Sequence, residues 1–176
     1  MRMSDFSGSQ RRDAARRREV FMKVLFGSDH AGVELKEEMM ALVGGMGHEC
    51  VDFGNYDKND RGDDYPVYGR KVAEAIAAGE GEMGVLICGT GLGMALTANK
   101  VKGIRACVCS EPYTAKMARA HNNCQILCLG ARVIGRELAA MITETFFTTE
   151  FEGGRHARRV AMIAAAEAGE EFAEAE

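Results

Sequence analysis

Tryptophan is absent from this 176-residue chain, proline occurs only twice, and no apolar run exceeds a few residues. The short apolar runs exclude a membrane-spanning segment, which needs about 20 consecutive apolar residues. The first 22 residues are basic but lack the apolar stretch of a signal peptide, so a cytoplasmic address is expected. No C-x-x-C pair occurs among the six cysteines at 50, 88, 107, 109, 124 and 128. C-V-C at 107–109 and C-x-x-x-C at 124–128 do not match zinc spacings, so no metal is expected. A Walker A sequence is missing as well.

Charge of one sign is also missing from the body of the chain. Residues 1–23 carry a net +4, residues 167–176 a net −5, and the stretch between them only −3. A near-neutral body offers no electrostatic footprint for nucleic acid. What is abundant is glycine, 21 of 176 residues or about 12%, against about 7% on average. With so little proline, this excess marks tight backbone sites within folded structure.

The pattern along the chain alternates. Residues 1–22 lack a sustained apolar face and read as a disordered, basic N-terminal extension. K-V-L-F-G at 23–27, E-C-V-D-F at 49–53, V-L-I-C at 85–88, R-A-C-V-C at 105–109 and Q-I-L-C-L at 125–129 read as strands. Helical spacing places Leu35, Met39, Leu42, Val43 and Met46 on one face of a helix over 31–46. Further helices are expected from Pro66 to Gly79, over 92–99, from Pro112 to about His121, over 135–147 and over 154–168. The stretch 54–64 reads as a polar surface loop. Uninterrupted apolar strands alternating with helices predict a five-stranded parallel sheet covered on both faces. The expected fold is a doubly wound, Rossmann-like α/β domain over 23–168, with an acidic tail at 169–176.

In such a sheet ligands bind beyond the carboxyl ends of the strands, so the residues just past each strand are informative. C-G-T-G-L-G-M at 88–94 places Gly89, Gly91 and Gly93 at a helix start, where backbone N–H groups can meet an anion or oxyanion. Its G-x-G-x-G spacing is not the dinucleotide fingerprint. Cys88 heads this turn. A thiol at a helix N-terminus is a usable base or nucleophile, the alternative being a small apolar residue that closes a buried strand. Asp29 and His30 form an acid–imidazole pair at the first strand's exit, or else a helix cap and a surface histidine. His121 stands at a helix end, where it could simply favour the dipole. Arg132, Arg155, His156, Arg158 and Arg159 make up the basic concentration of the body. Arg155 and Arg159, one turn apart, can reach one phosphate, or belong to a solvated basic face.

Taken in order, G-S-D-H-A-G (27–32), D-Y-P, the 84–94 segment, N-K-V-K-G-I-R-A, C-S-E-P-Y, A-R-A-H-N-N, G-A-R-V-I-G and F-E-G-G-R-H-A-R-R-V resemble ribose-5-phosphate isomerase type B. That group belongs to the sugar-phosphate isomerase family that also includes galactose-6-phosphate isomerase. The resemblance covers residues 22 to about 165 and implies an isomerase of ribose and ribulose 5-phosphates that needs no metal or cofactor. By position it makes Cys88 the base that moves a proton between C1 and C2 through an enediolate, assisted by Thr90. Backbone amides of the turn Gly89, Thr90, Gly91, Leu92 and Gly93 would hold the oxyanion. His121 would open the sugar ring, with Asn122 and Asp29 on sugar oxygens. Arg132, Arg155 and Arg159, together with His30, would hold the phosphate. Family members build the site between two subunits, so at least a homodimer is implied. A hexose-6-phosphate isomerase of the same family and a non-catalytic phosphate- or nucleotide-binding module are the rival readings.

Overall fold

A computed structural model describes residues 21–171. The expectations for the basic extension and for most of the acidic tail therefore fall largely outside the described residues. Five parallel strands alternate with helices in chain order: β1 Lys23–Ser28, α1 Val33–Gly45, β2 Glu49–Asp52, α2 Tyr65–Ala77, β3 Met83–Cys88, α3 Leu92–Ala98, β4 Ala106–Val108, α4 Pro112–Ala120, β5 Ile126–Gly130, α5 Arg136–Thr148 and α6 Arg155–Ala168. The spatial strand order is β2-β1-β3-β5-β4, so β5 inserts between β3 and β4.

Side chains alternate across this sheet as the pleat requires. Val24, Phe26, Val85, Ile87, Leu127 and Leu129 face α1, α4 and α5. Leu25, Leu86, Cys88, Ile126 and Cys128 face α2 and α3, where Val72, Ile76, Met94 and Ala98 meet them. Both faces are buried, which is why β1, β3 and β5 read as continuous apolar runs.

Two local features depart from the expected pattern. The chain leaves β1 through a 3-10 turn, His30–Gly32, before α1 begins at Val33. Gly32 is needed there because a Cβ would stand 2.6 Å from the Ile87 carbonyl oxygen. Lys36 on α1 is fully buried. Its Nζ donates to Asp52 Oδ1 and to the Asn55 carbonyl, each at 2.7 Å. That bridge ties α1 to the loop leaving β2. Ser28 donates its N–H to the Gly54 carbonyl, and Asn55 donates its own to the Ser28 carbonyl. Part of the 54–64 stretch is therefore sewn to the exit of β1 and is not a free surface loop.

Candidate active site

The last paired residues of β3 and β5 are Cys88 and Gly130, and both chains turn there at the carboxyl edge. Gly91 takes φ +79 and caps α3, with its Cα against the backbone of Leu129. That left-handed residue folds the turn back, so the Gly91 N–H donates to Cys88 Sγ at 3.1 Å. The thiol is buried, 5% exposed, while Thr90 and Leu92 are exposed. Leu92 donates its N–H to Thr90 Oγ1 at 3.4 Å. Gly93 leaves room for the ring of Tyr65, into which a Cβ would drive. Arg132 lies against Gly89, its N–H donating to the Gly89 carbonyl at 3.0 Å.

One strand over, Asp29 follows β1 and donates its N–H to the Ile87 carbonyl. Its carboxylate accepts from the N–H groups of Ala31 and Gly32 at 2.9 and 3.2 Å. The capping reading of Asp29 is therefore correct, and the residue also stands beside Cys88's strand end. Burial pushes its carboxyl above the usual range, and the nearby Asp63 charge adds to this. The two amide bonds and His30 work against it. His30 adjoins on the same turn, its Nδ1 2.5 Å from Asp63 Oδ1.

The remaining expected residues lie elsewhere. His121 caps α4 just before β5. Arg105, immediately before β4, donates through Nε and Nη2 to the carbonyls of Asn122 and Asn123. These contacts place 121–123 at the amino edge of the sheet. Glu152 donates its N–H to the Ala120 carbonyl, which brings the start of α6 to the same edge. The imidazoles of His121 and His156 stack there with centroids 4.0 Å apart. Glu152 Oε2 lies 3.8 and 3.5 Å from their Nε2 atoms. Arg155 and Arg159 follow on α6, exposed.

Within one chain the expected set therefore divides. Cys88, Thr90, the glycine turn, Asp29, His30 and Arg132 occupy the carboxyl edge. His121, Asn122, Arg155 and Arg159 occupy the amino edge, about 17 Å away at roughly 3.3 Å per residue of β5. The expectation that Arg132 joins Arg155 and Arg159 on one phosphate does not hold within a chain, because β5 separates them.

Sequence reasoning missed Asp63, buried against His30, and the pairing of His156 with His121. Asp63 sits in a polar stretch whose composition resembles any solvated loop. Its only local signal is its place before the helix that opens at Tyr65-Pro66.

His121, Glu152 and His156 bring three donor atoms within 4.8 Å of one another. Their geometry does not suit a chelate. Imidazole lone pairs lie in the ring plane, and two planes 3° from parallel cannot converge on an ion about 2.1 Å from each nitrogen. Arg155 Nε also donates to His156 Nε2 at 3.3 Å. Chemically, the carboxyl edge offers a thiol with an amide aimed at it and a cationic side chain nearby. The amino edge offers an imidazole pair and two guanidinium groups. Such a combination suits proton transfer on an anionic substrate.

Known proteins identify the family. Residues 24–163 match the model of a family described as ribose/galactose isomerase. Ribose-5-phosphate isomerase B of Escherichia coli is 48% identical over 145 residues, covering 82% of this chain and 96% of that protein. D-erythrulose-4-phosphate isomerase of Pectobacterium atrosepticum is 41% identical over 142 residues, covering 81% and 93%. Among solved structures, ribose-5-phosphate isomerase B of Clostridium thermocellum superposes with TM-score 0.81 at 49% identity, over 84% of this chain and 99% of that one. The chain is an isomerase and belongs to the ribose/galactose isomerase family.

Proposed function

We propose that this enzyme interconverts ribose 5-phosphate and ribulose 5-phosphate, with Cys88 as the base. The observation that carries the assignment is the Gly91 N–H on Cys88 Sγ at the end of β3. The high identity to ribose-5-phosphate isomerase B supports the substrate. In the forward direction the thiolate removes the C2 proton of the open-chain aldose. The electron pair moves through C1–C2 onto O1, giving an enediolate. Return of the proton to C1, with transfer of the O2 proton, leaves the ketose. Amides of the glycine turn face the charge that develops on oxygen, which is where such donors contribute most. His121 opens the ring beforehand by moving a proton between the ring oxygen and the anomeric hydroxyl. Asn122 and Asp29 hold sugar oxygens, while Arg132, Arg155, Arg159 and His30 hold phosphate.

The 17 Å or so between the two halves of this set supports a homodimer that joins the carboxyl edge of one protomer to the amino edge of its partner. The surface beside Cys88 suits such a partner. Leu92 and Leu96 are 58% and 67% exposed on α3, and Tyr65 and Val67 are exposed on α2. A groove of about 640 Å³ runs between these helices, lined by Tyr65, Leu96 and Val101 together with the charged Arg70, Glu74, Lys100 and Lys102. Exposed apolar side chains gathered on two neighbouring helices and bordered by charged ones suit an interaction surface. Among the described residues no helix is long and apolar enough to cross a membrane. All six cysteines stand as free thiols, which supports a reducing, cytoplasmic setting.

Steady-state turnover of ribose 5-phosphate by the wild type and Cys88→Ala tests the proposal. Loss of about 10³-fold in kcat with an unchanged fold is expected for removal of a general base. Isomerisation undiminished in Cys88→Ala would overturn the thiolate mechanism. A kcat/KM that favours allose 6-phosphate, galactose 6-phosphate or erythrulose 4-phosphate would overturn the substrate.

A further inference from the structure

The loop between β2 and α2 contributes a residue to this site that sequence patterning left as surface. Asp63 has a side chain only 1% exposed, yet it lies among polar, mostly exposed neighbours. Three donors converge on its carboxylate. The His30 backbone N–H reaches Oδ2 at 2.7 Å, His30 Nδ1 reaches Oδ1 at 2.5 Å, and Asn55 Nδ2 reaches Oδ2 at 2.9 Å. Asn55 is itself 6% exposed. Its carbonyl accepts from buried Lys36 and its N–H donates to Ser28. Asp63 is therefore anchored through α1 and β1, the same elements that set the exit of β1 beside Cys88.

Both contacts with His30 have a consequence for its ring. A carboxylate can only accept, so the proton on that edge belongs to Nδ1. With Nδ1 committed and the backbone amide also bound, the ring's orientation is set. Nε2 is the nitrogen left for a ligand, on a side chain 19% exposed. Burial alone would raise the Asp63 carboxyl, but the bonds from Asn55 and His30 outweigh it, and the group sits below the usual carboxylate range.

We propose that Asp63 is a positioning residue, which fixes the tautomer and orientation of His30 so that Nε2 is presented to the substrate's phosphate end. The proposal rests on the reading of this site as a sugar-phosphate isomerase and adds to it a residue outside the recognised motifs. A buried carboxylate orienting an imidazole through Nδ1 is a recurrent way to hold the opposite nitrogen ready. Asp63 does not touch substrate itself. Its loss should therefore weaken binding more than it slows chemistry at Cys88.

The test combines imidazole NMR with kinetics on the full-length protein. In the wild type, long-range ¹⁵N–¹H spectra should show His30 carrying its proton on Nδ1. In Asp63→Ala that assignment should disappear, and KM for ribose 5-phosphate should rise about tenfold, the size of one charge-assisted hydrogen bond. The inhibition constant for inorganic phosphate should rise in parallel, and kcat should stay within about twofold. Asp63→Asn keeps an acceptor for Nδ1–H and should recover part of the loss. A merely structural role would lower kcat and the melting temperature together and leave no split between KM and kcat. That result would overturn the proposal, as would a wild-type His30 protonated on Nε2 alone. The NMR arm needs no turnover and no variant. It therefore decides the Asp63 contact even if ribose 5-phosphate is not the substrate or Asp63→Ala does not fold.

Discussion

The imidazole of His121 lies flat on that of His156, with centroids 4.0 Å apart and planes 3° from parallel. One ring is partly open to solvent, and the other is buried at the start of α6. Two stacked imidazoles cannot both take a proton without facing like charge at short range. Burial, His121 and the flanking Arg155 together hold His156 below the usual histidine range, and Glu152 opposes them only in part. Its folded value is lower than its unfolded one, so the unfolded chain binds the extra proton first. Stability conferred by neutral His156 is fully present above the ordinary value of about 6.5 and is lost as pH falls below it. Melting temperature should drop between pH 7 and pH 5 in the wild type. His156→Asn, which cannot titrate, should flatten that decline. Parallel slopes for the two proteins would contradict this account.

Asp29 gives the opposite sign. Its folded carboxyl lies above the usual range, chiefly through burial. Keeping it ionised at neutral pH costs stability, and the cost vanishes when pH falls below the unfolded value near 3.8. Asparagine retains an oxygen for the N–H groups of Ala31 and Gly32, which Asp29 now caps. Asp29→Asn should therefore match or exceed the wild type in melting temperature at pH 7. That advantage should shrink toward pH 4, while kcat/KM falls about 10²-fold through loss of the proposed contact with a sugar oxygen. Thermal melts across that range, alongside turnover, check both parts.

Five strands and six helices are legible in the chain because β1, β3 and β5 are buried on both faces and each helix carries glycine or proline at an end. The strand order is not, since nothing in Q-I-L-C-L says that it inserts beside V-L-I-C. For the same reason the candidate site is legible as a proposed set of residues and not as a place. C-G-T-G-L-G identifies its own turn, because Gly91 at φ +79 and the Cys88–Gly91 hydrogen bond are local. His121 and Arg155 are assigned to an edge of the sheet only by the contacts of Arg105 and Glu152, which are remote in sequence. Lys36 breaks the pattern outright. A lysine is seldom fully buried, and its partners Asp52 and Asn55 lie 16 and 19 residues away.

Gly130 tests how tightly the turn after β3 is seated. A Cβ there would stand 2.8 Å from the backbone of Thr90. Backbone meets backbone at that point, so neither side can rotate away. Gly130→Ala should cost about 1–3 kcal/mol by overpacking. It should also displace the amide that reaches Cys88, with a loss near 10²-fold in kcat. Gly135→Ala, where a Cβ meets nothing within 4 Å, is the control and should leave kcat intact. Equal activity in both variants would show that the turn does not depend on this contact.

The division of the proposed site between opposite edges of the sheet makes a further prediction that separates one-chain from two-chain catalysis. Cys88→Ala lacks the proposed base and His121→Ala the proposed ring-opening group, so each variant alone should be inactive on cyclic substrate. In a heterodimer of the proposed form, position 88 of one protomer faces position 121 of the other. One of its two sites is then wholly wild type and the other is doubly altered. Random reassortment makes half the dimers mixed, so activity should return to about one quarter of the wild-type level. A site contained in one chain would give no recovery on mixing. Charging the exposed apolar face through Leu96→Glu, 67% exposed beside the groove, should shift the sedimentation of the protein toward a monomer. If the site is shared as proposed, it should also abolish turnover although Cys88 and its turn are untouched, because a monomer keeps Cys88 and loses the partner's histidine.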